Sequence, residues 1–345
     1  MTLSQDLSVK TSLVSPKRDV PSGASSRSAR SNRLGQLATF AVVVAALLPF
    51  FGDDYYLFLA ATTAMYAVAL LGLNILTGFN GQLSLGHGAF MAIGGYTAAI
   101  MMSHWDLPYW STIPASGLIC LVLGYLFGFP ALRLGGFQLA LATFALAVAL
   151  PQFLKWKYVE DWTGGVQGIL LTKPDAPFGL PLNQDQWLYI FTLTVTVILF
   201  IIGSNLMRGR IGRALLAIRE QPTAAVAMGI NVAQYKSIAF GISAMYTGIA
   251  GALGAIIVQF VSSDTYSFYL SVSLLTGVVV GGLCSILGSV VGALFIVLVP
   301  NLADSISKAA PWAIYGAFLI GTMYLMPEGT AGLLRKIASR LRLRA

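Results

Sequence analysis

YYLFLAATTAMYAVALLGLNILTGFNGQLSLGHGAFMAIGGYTAAIMMSHW, residues 55–105, runs without a single Asp, Glu, Lys or Arg. A charge at the centre of a bilayer costs about 2.5–3.5 kcal/mol on insertion scales. A gap this long is what that cost selects, and it recurs along the chain. Residues 186–207, 237–263 and 265–303 are also uncharged, and only Arg133 interrupts 107–154. The whole chain is 57% hydrophobic and 10% charged, against roughly 25% charged residues in soluble domains. Its 345 residues are therefore better divided by the ~20 residues that cross a bilayer core than by the size of a soluble domain.

Hydropathy within the gaps predicts an all-α integral membrane protein with about ten transmembrane helices. They are placed near 36–51, 56–78, 83–102, 110–129, 137–154, 187–206, 237–260, 267–283, 287–303 and 312–327. The eighth and ninth are short and glycine-rich, which suits broken or re-entrant segments. With the N-terminus placed in the cytoplasm, seventeen of the 21 basic residues fall inside. That is the bias that sets orientation. Both termini are then cytoplasmic, as an even number of spans requires. The excess positive charge is topology information, and a nucleic-acid partner is not expected.

Residues 1–34 are Ser-rich, polar and basic and read as a disordered cytoplasmic tail; residues 337–345 read as a second basic tail. The run at 36–51 is expected to remain as the first span rather than to be a cleaved signal. Between the tails, 35–336 form one membrane domain with two long excursions. Residues 155–186, with the turn Thr163-Gly164-Gly165 and three prolines, are expected outside. Residues 207–236 are expected in the cytoplasm. There Arg213 to Arg219 reads as helical, and Pro222 biases Gln221 away from the helix. Thr223 to Met228 forms a second short helix, closed by Gly229 as a left-handed cap. A helix–turn–helix of this kind on the cytoplasmic face is a docking element.

The chemistry is informative by what it lacks. No Gly-rich loop ends in Lys-Ser or Lys-Thr, there is no HExxH, and no Asp or Glu falls within a predicted span. No catalytic residue is assigned. Cys120 and Cys284 have no metal-ligand spacing, so no metal site is expected. A membrane enzyme would need a nucleophile, base or metal set. An ion-coupled secondary transporter would need an ionisable relay at membrane depth, for which His87 is the only candidate. A conduit powered by another subunit fits better. A purely structural subunit remains open at this point.

Glycine carries the positive signal. Residues 76–88, LTGFNGQLSLGHG, hold four glycines among polar side chains, and 275–292 has a similar density, a weak hint of an internal repeat. Two readings stand: small residues at helix contacts, or backbone opened toward a transport path. On the second reading Asn80, Gln82, Ser84 and His87 face the path, since polar side chains are costly against lipid. On the first, His87 is a satisfied structural residue.

GFNGQLSLGHGAFMAIGGYTAA (78–99), FQLALATFALA (137–147), WTGGVQGI (162–169), GRALLAIREQPTAAVAMGINVAQYK (212–236) and YLMPEGTAGLLRK (324–336) together resemble the Liv-type permeases, the membrane subunits of branched-chain amino acid ABC importers. The M-type subunit is the better likeness, with its long external loop. The resemblance implies a second homologous permease, two ATPase subunits that bind ATP and Mg, and a periplasmic substrate-binding protein, all in the bacterial inner membrane or on its faces. This chain itself then needs no cofactor and is not an enzyme. Residues 207–236 correspond to the coupling helix, where the import-permease pattern Glu-Ala-Ala, three residues, Gly is met as Thr223-Ala224-Ala225 and Gly229. Arg213, Arg219, Glu220 and Asn231 flank it as further candidates for ATPase coupling. Related permeases carry urea, short amides and aromatic acids as well as apolar amino acids, and no residue separates these cases.

Overall fold

The computed structural model describes residues 53–131, 136–177 and 182–306, with isolated positions between 316 and 332. The two tails, the predicted first span at 36–51 and most of the span predicted at 312–327 lie outside the described residues.

Helix α1 (Asp54–Asn74) runs into a π-helical turn, Ile75–Phe79, and an irregular stretch follows before α2 (His87–His104). Next come α3 (Tyr109–Ala131), α4 (Gly136–Leu154) and the single turn α5 (Glu160–Thr163). Strand β1 (Ile169–Leu170) precedes α6 (Gln184–Arg208), α7 (Arg210–Glu220), α8 (Pro222–Ala227) and α9 (Val232–Val258). Strand β2 (Phe260–Val261), a 3₁₀ turn at Ser263–Tyr266, α10 (Phe268–Gly281) and α11 (Ile286–Ile306) complete the described chain. The only departure from an all-α fold among these residues is the two-residue antiparallel pair β1–β2, Ile169 facing Val261.

Among the described residues, six helices are long and apolar enough to cross a membrane: α1 with its π turn, α3, α4, α6, α9 and α11. α10 is apolar but only 14 residues long, about 21 Å at 1.5 Å per residue, short of the ~30 Å hydrocarbon core. The segment expected to be one span at 83–102 is corrected. Residues 80–86 are not helical and α2 starts only at His87. A hydropathy window smooths over Gly81, Gly86 and the polar residues between them. Their backbone groups bond outside a helical ladder.

α9 is the centre of the domain, packed against α1, α2 and α3. Its Phe240, Tyr246 and Leu253 are fully buried. Close approach is set by glycine. A Cβ on Gly94 of α2 would collide with the Gly248 carbonyl of α9, and one on Gly251 of α9 with the Met91 carbonyl. α10 and α11 meet in the same way through Gly281 and Gly288, and through Gly277 and Gly292. Much of the glycine signal is therefore helix contact. The outer faces are apolar rather than polar. Leu118, Val122, Leu126 and Phe129 line one side of α3, and Phe137, Leu141, Phe144 and Val148 one side of α4, all exposed. Contiguous apolar faces of this extent belong against lipid or another membrane subunit.

Candidate functional site

Two regions carry the polar chemistry, and they touch. The first is the break between α1 and α2. Without a helical ladder, its backbone N–H groups need other partners, and side chains from distant helices supply them. Leu85 N–H donates to Thr143 Oγ1 of α4 at 2.9 Å, and Gly88 N–H to Ser271 Oγ of α10 at 3.0 Å. Gly86 N–H reaches Ser84 Oγ at 3.3 Å.

His87 fastens the start of α2. Its Nε2 lies 2.6 Å from Ser243 Oγ of α9, and its Nδ1 3.0 Å from Ser84 Oγ. The Ser243 hydroxyl has one proton and gives it to the Gly72 carbonyl of α1 at 2.6 Å. Nε2 must then be the protonated ring nitrogen, and Nδ1 accepts from Ser84. One chain of bonds thus links α1, the break, α2 and α9. Ser243 stands eleven residues into α9, about 16 Å along it at 1.5 Å per residue. The chain has therefore turned back beside α1 before α2 begins.

Asn80, Gln82, Ser84 and His87, predicted to face a path, are all buried within this chain, none more than 8% exposed. Asn80 Nδ2 donates to Gln82 Oε1 at 2.8 Å, while Asn80 Oδ1 is buried with no hydrogen-bond partner among the described residues. The break itself joins Asn80 and Gln82 backbone N–H groups to the Ile75 and Leu76 carbonyls, each at 3.2 Å.

The second region is α7–α8. α7 is amphipathic: Ala214, Leu215 and Ile218 are buried while Arg210, Arg213, Arg219 and Glu220 are exposed. Its helical span is longer than the expected Arg213 to Arg219. Gln221, at φ −155° and ψ 94°, ends it, and Pro222 opens α8 at the first helical position. α8 closes in a Schellman motif. Gly229, at φ 81°, donates its N–H to Val226 O at 2.9 Å, and Ile230 N–H reaches Ala225 O at 3.0 Å. Ala225 is buried, whereas Thr223, Ala224, Val226, Ala227 and Met228 are exposed. Met228 is 83% exposed, so α8 presents a small apolar knob to the outside.

The flanking candidates separate by contact. Asn231 caps α9, accepting from Gln234 N–H at 3.1 Å. Among the described residues, Arg213 Nε bonds its own helix entrance, the Gly209 carbonyl at 3.4 Å. Arg219 is exposed as a residue, but its head group reaches the break. Its Nη1 donates to the Gly78 carbonyl at 2.6 Å and contacts Cys284 Sγ. Sequence reasoning missed Asn74, Thr143, Ser243, Ser271 and Cys284. Asn74 binds the α10–α11 connection, accepting from Cys284 N–H at 3.0 Å and donating to Ser285 O at 2.8 Å. The available signal was an amide or hydroxyl isolated in an apolar run, which is costly there without a partner.

No group of His, Cys, Asp and Glu able to hold a metal ion occurs among the described residues.

No solved structure matches the chain. The high-affinity branched-chain amino acid transport system permease protein LivM of Salmonella typhimurium is 30% identical, over 84% of this chain and 72% of its own length. The corresponding LivH permease protein of that organism is 25% identical, over 77% of this chain and 91% of its own length. The autoinducer 2 import system permease protein LsrC of Escherichia coli is 24% identical, over 85% and 86%. The likeness to the M-type permease is thus the stronger of the two Liv types. Residues 55–327 match the family described as the permease component of branched-chain amino acid transport systems, and the chain belongs to that family.

Proposed function

We propose that this chain is one of two homologous permease subunits in an ATP-driven importer of the bacterial inner membrane, forming half of the translocation path for branched-chain or other apolar amino acids. ATP and Mg bind in two partner ATPase subunits, and a periplasmic binding protein delivers substrate. The chain crosses the membrane about ten times with both termini in the cytoplasm, in keeping with its charge distribution. ATP closes the ATPase pair, the α7–α8 segments shift, and the paired permeases rock between inward-open and outward-open states.

The observation that carries this reading is α8. A six-residue helix of small residues, closed by a left-handed glycine and ending in the exposed Val226 and Met228, has the form of a plug for a groove on another protein. Asn80, Gln82 and Ser84 are assigned to the path, closed in this conformation, with the unpartnered Asn80 Oδ1 awaiting a partner when the break opens. His87 is assigned to holding the start of α2.

The test is to purify the tagged chain from its native membrane and identify what accompanies it. A stoichiometric subunit bearing a phosphate-binding loop is expected. A chain that transports amino acids alone, driven by an ion gradient, would contradict the reading.

A further inference from the structure

We propose that Arg219 is a positioning residue that ties movement of the ATPase-facing segment to both chain breaks at once, and is not itself an ATPase contact. The proposal rests on the reading of α7–α8 as the ATPase-facing segment.

Arg219 is at the penultimate position of α7, beside the Gln221–Pro222 bend that leads into α8. Its stem packs over Gly81, where an added Cβ would lie 3.0 Å from Arg219 Cγ. Its guanidinium enters between the two glycine-rich breaks. On one side it holds the carbonyl of Gly78, in the π turn that ends α1; on the other it meets Cys284, in the turn that joins α10 to α11. The breaks are also joined to each other. Cys284 Sγ donates to the Gly78 carbonyl at 3.0 Å, and Asn74 holds the backbone of Cys284 and Ser285.

Carbonyls at helix ends lack intrahelical donors, and a cation there is favoured by the helix dipole. The guanidinium meets this need with directed N–H groups, where a lysine could offer one point charge. Both breaks depart from ordinary backbone: Gly81 has φ 75°, Gly282 105° and Cys284, with a side chain, 60°. A displacement of α7 therefore pulls on two irregular points of the chain through one side chain.

The test uses the complete complex in vesicles, with Arg219→Ala and Arg219→Lys. Co-purification of the ATPase, hydrolysis without substrate, and ATP-driven uptake are read together. Arg219→Ala is expected to keep the ATPase and its basal hydrolysis but to lose uptake by about tenfold, within the span of typical coupling energies. Arg219→Lys should recover part of the uptake, because an ammonium can still donate to Gly78. Loss of the ATPase from a folded Arg219→Ala chain, or undiminished uptake, would overturn the proposal. Should Arg219→Ala fail to fold, the parent complex decides. In a Cys120→Ala background, the alkylation rate of Cys284 is expected to differ about fivefold or more between ATP-trapped and nucleotide-free states, and an equal rate would overturn the proposal. A parent preparation without any ATPase would overturn the functional reading above, and this proposal with it.

Discussion

Gly229 holds φ 81° with open space where a Cβ would project. A side chain there meets no neighbour and is opposed only by its own backbone, by about 1–2 kcal/mol. Gly229→Val is therefore expected to leave the protein folded and abundant while loosening the end of α8, so that transport falls and ATP hydrolysis continues. Uptake and hydrolysis measured together in vesicles check this, and unchanged uptake would refute it. His87 presents the opposite case. Its ring is buried with both nitrogens engaged, so His87→Ala leaves Ser84 and Ser243 short of partners and opens a void. A loss of about 1–3 kcal/mol is expected, seen as a lowered midpoint of thermal unfolding in detergent. The residues at this scale were only partly legible. Gly229 announces itself by type and position after an alanine-rich turn, and the Pro222 bend is equally plain. The partners of His87 could not be read, because Ser243 is one hydroxyl among many in apolar runs and its contact spans 156 residues.

At the scale of elements, charge gaps place helices well where a helix is continuous. The spans read at 110–129, 137–154 and 187–206 correspond to Tyr109–Ala131, Gly136–Leu154 and Gln184–Arg208. They do so because hydropathy reports length and apolarity, which are what those helices have. It fails at 80–86, where the chain is apolar enough to pass a window yet gives its hydrogen bonds to Thr143, Ser84 and its own π turn. It also cannot say which helix is central. α9 and α6 have similar lengths, but α9 carries the small residues that let α2 and α3 approach, Gly248 sitting against both Gly94 and Cys120. Gly94→Val should therefore cost more than its volume suggests, about 1–3 kcal/mol from overpacking, with no polar group lost. Reduced yield of folded protein from detergent extraction, relieved in no degree by added substrate, is the expected outcome. A fully stable Gly94→Val variant would mean that α2 and α9 do not pack as described.

At the scale of the molecule, the described chain combines helices whose outer faces are apolar with the polar-faced segment α7–α8, which the proposed function sets against a partner. Two chain breaks, bridged by Asn74 and Arg219, connect that segment to the buried polar stretch at 80–87. On the function proposed above, energy enters from a partner ATPase at α8 and is spent between paired permeases. The most direct measurement is uptake of labelled leucine, isoleucine or valine into vesicles holding this chain, its partner permease, the ATPase subunits and the binding protein. Uptake that requires ATP inside, requires the binding protein outside, and disappears when this chain is left out is the predicted result. Uptake that persists without ATP, or that proceeds equally well without this chain, would contradict the account.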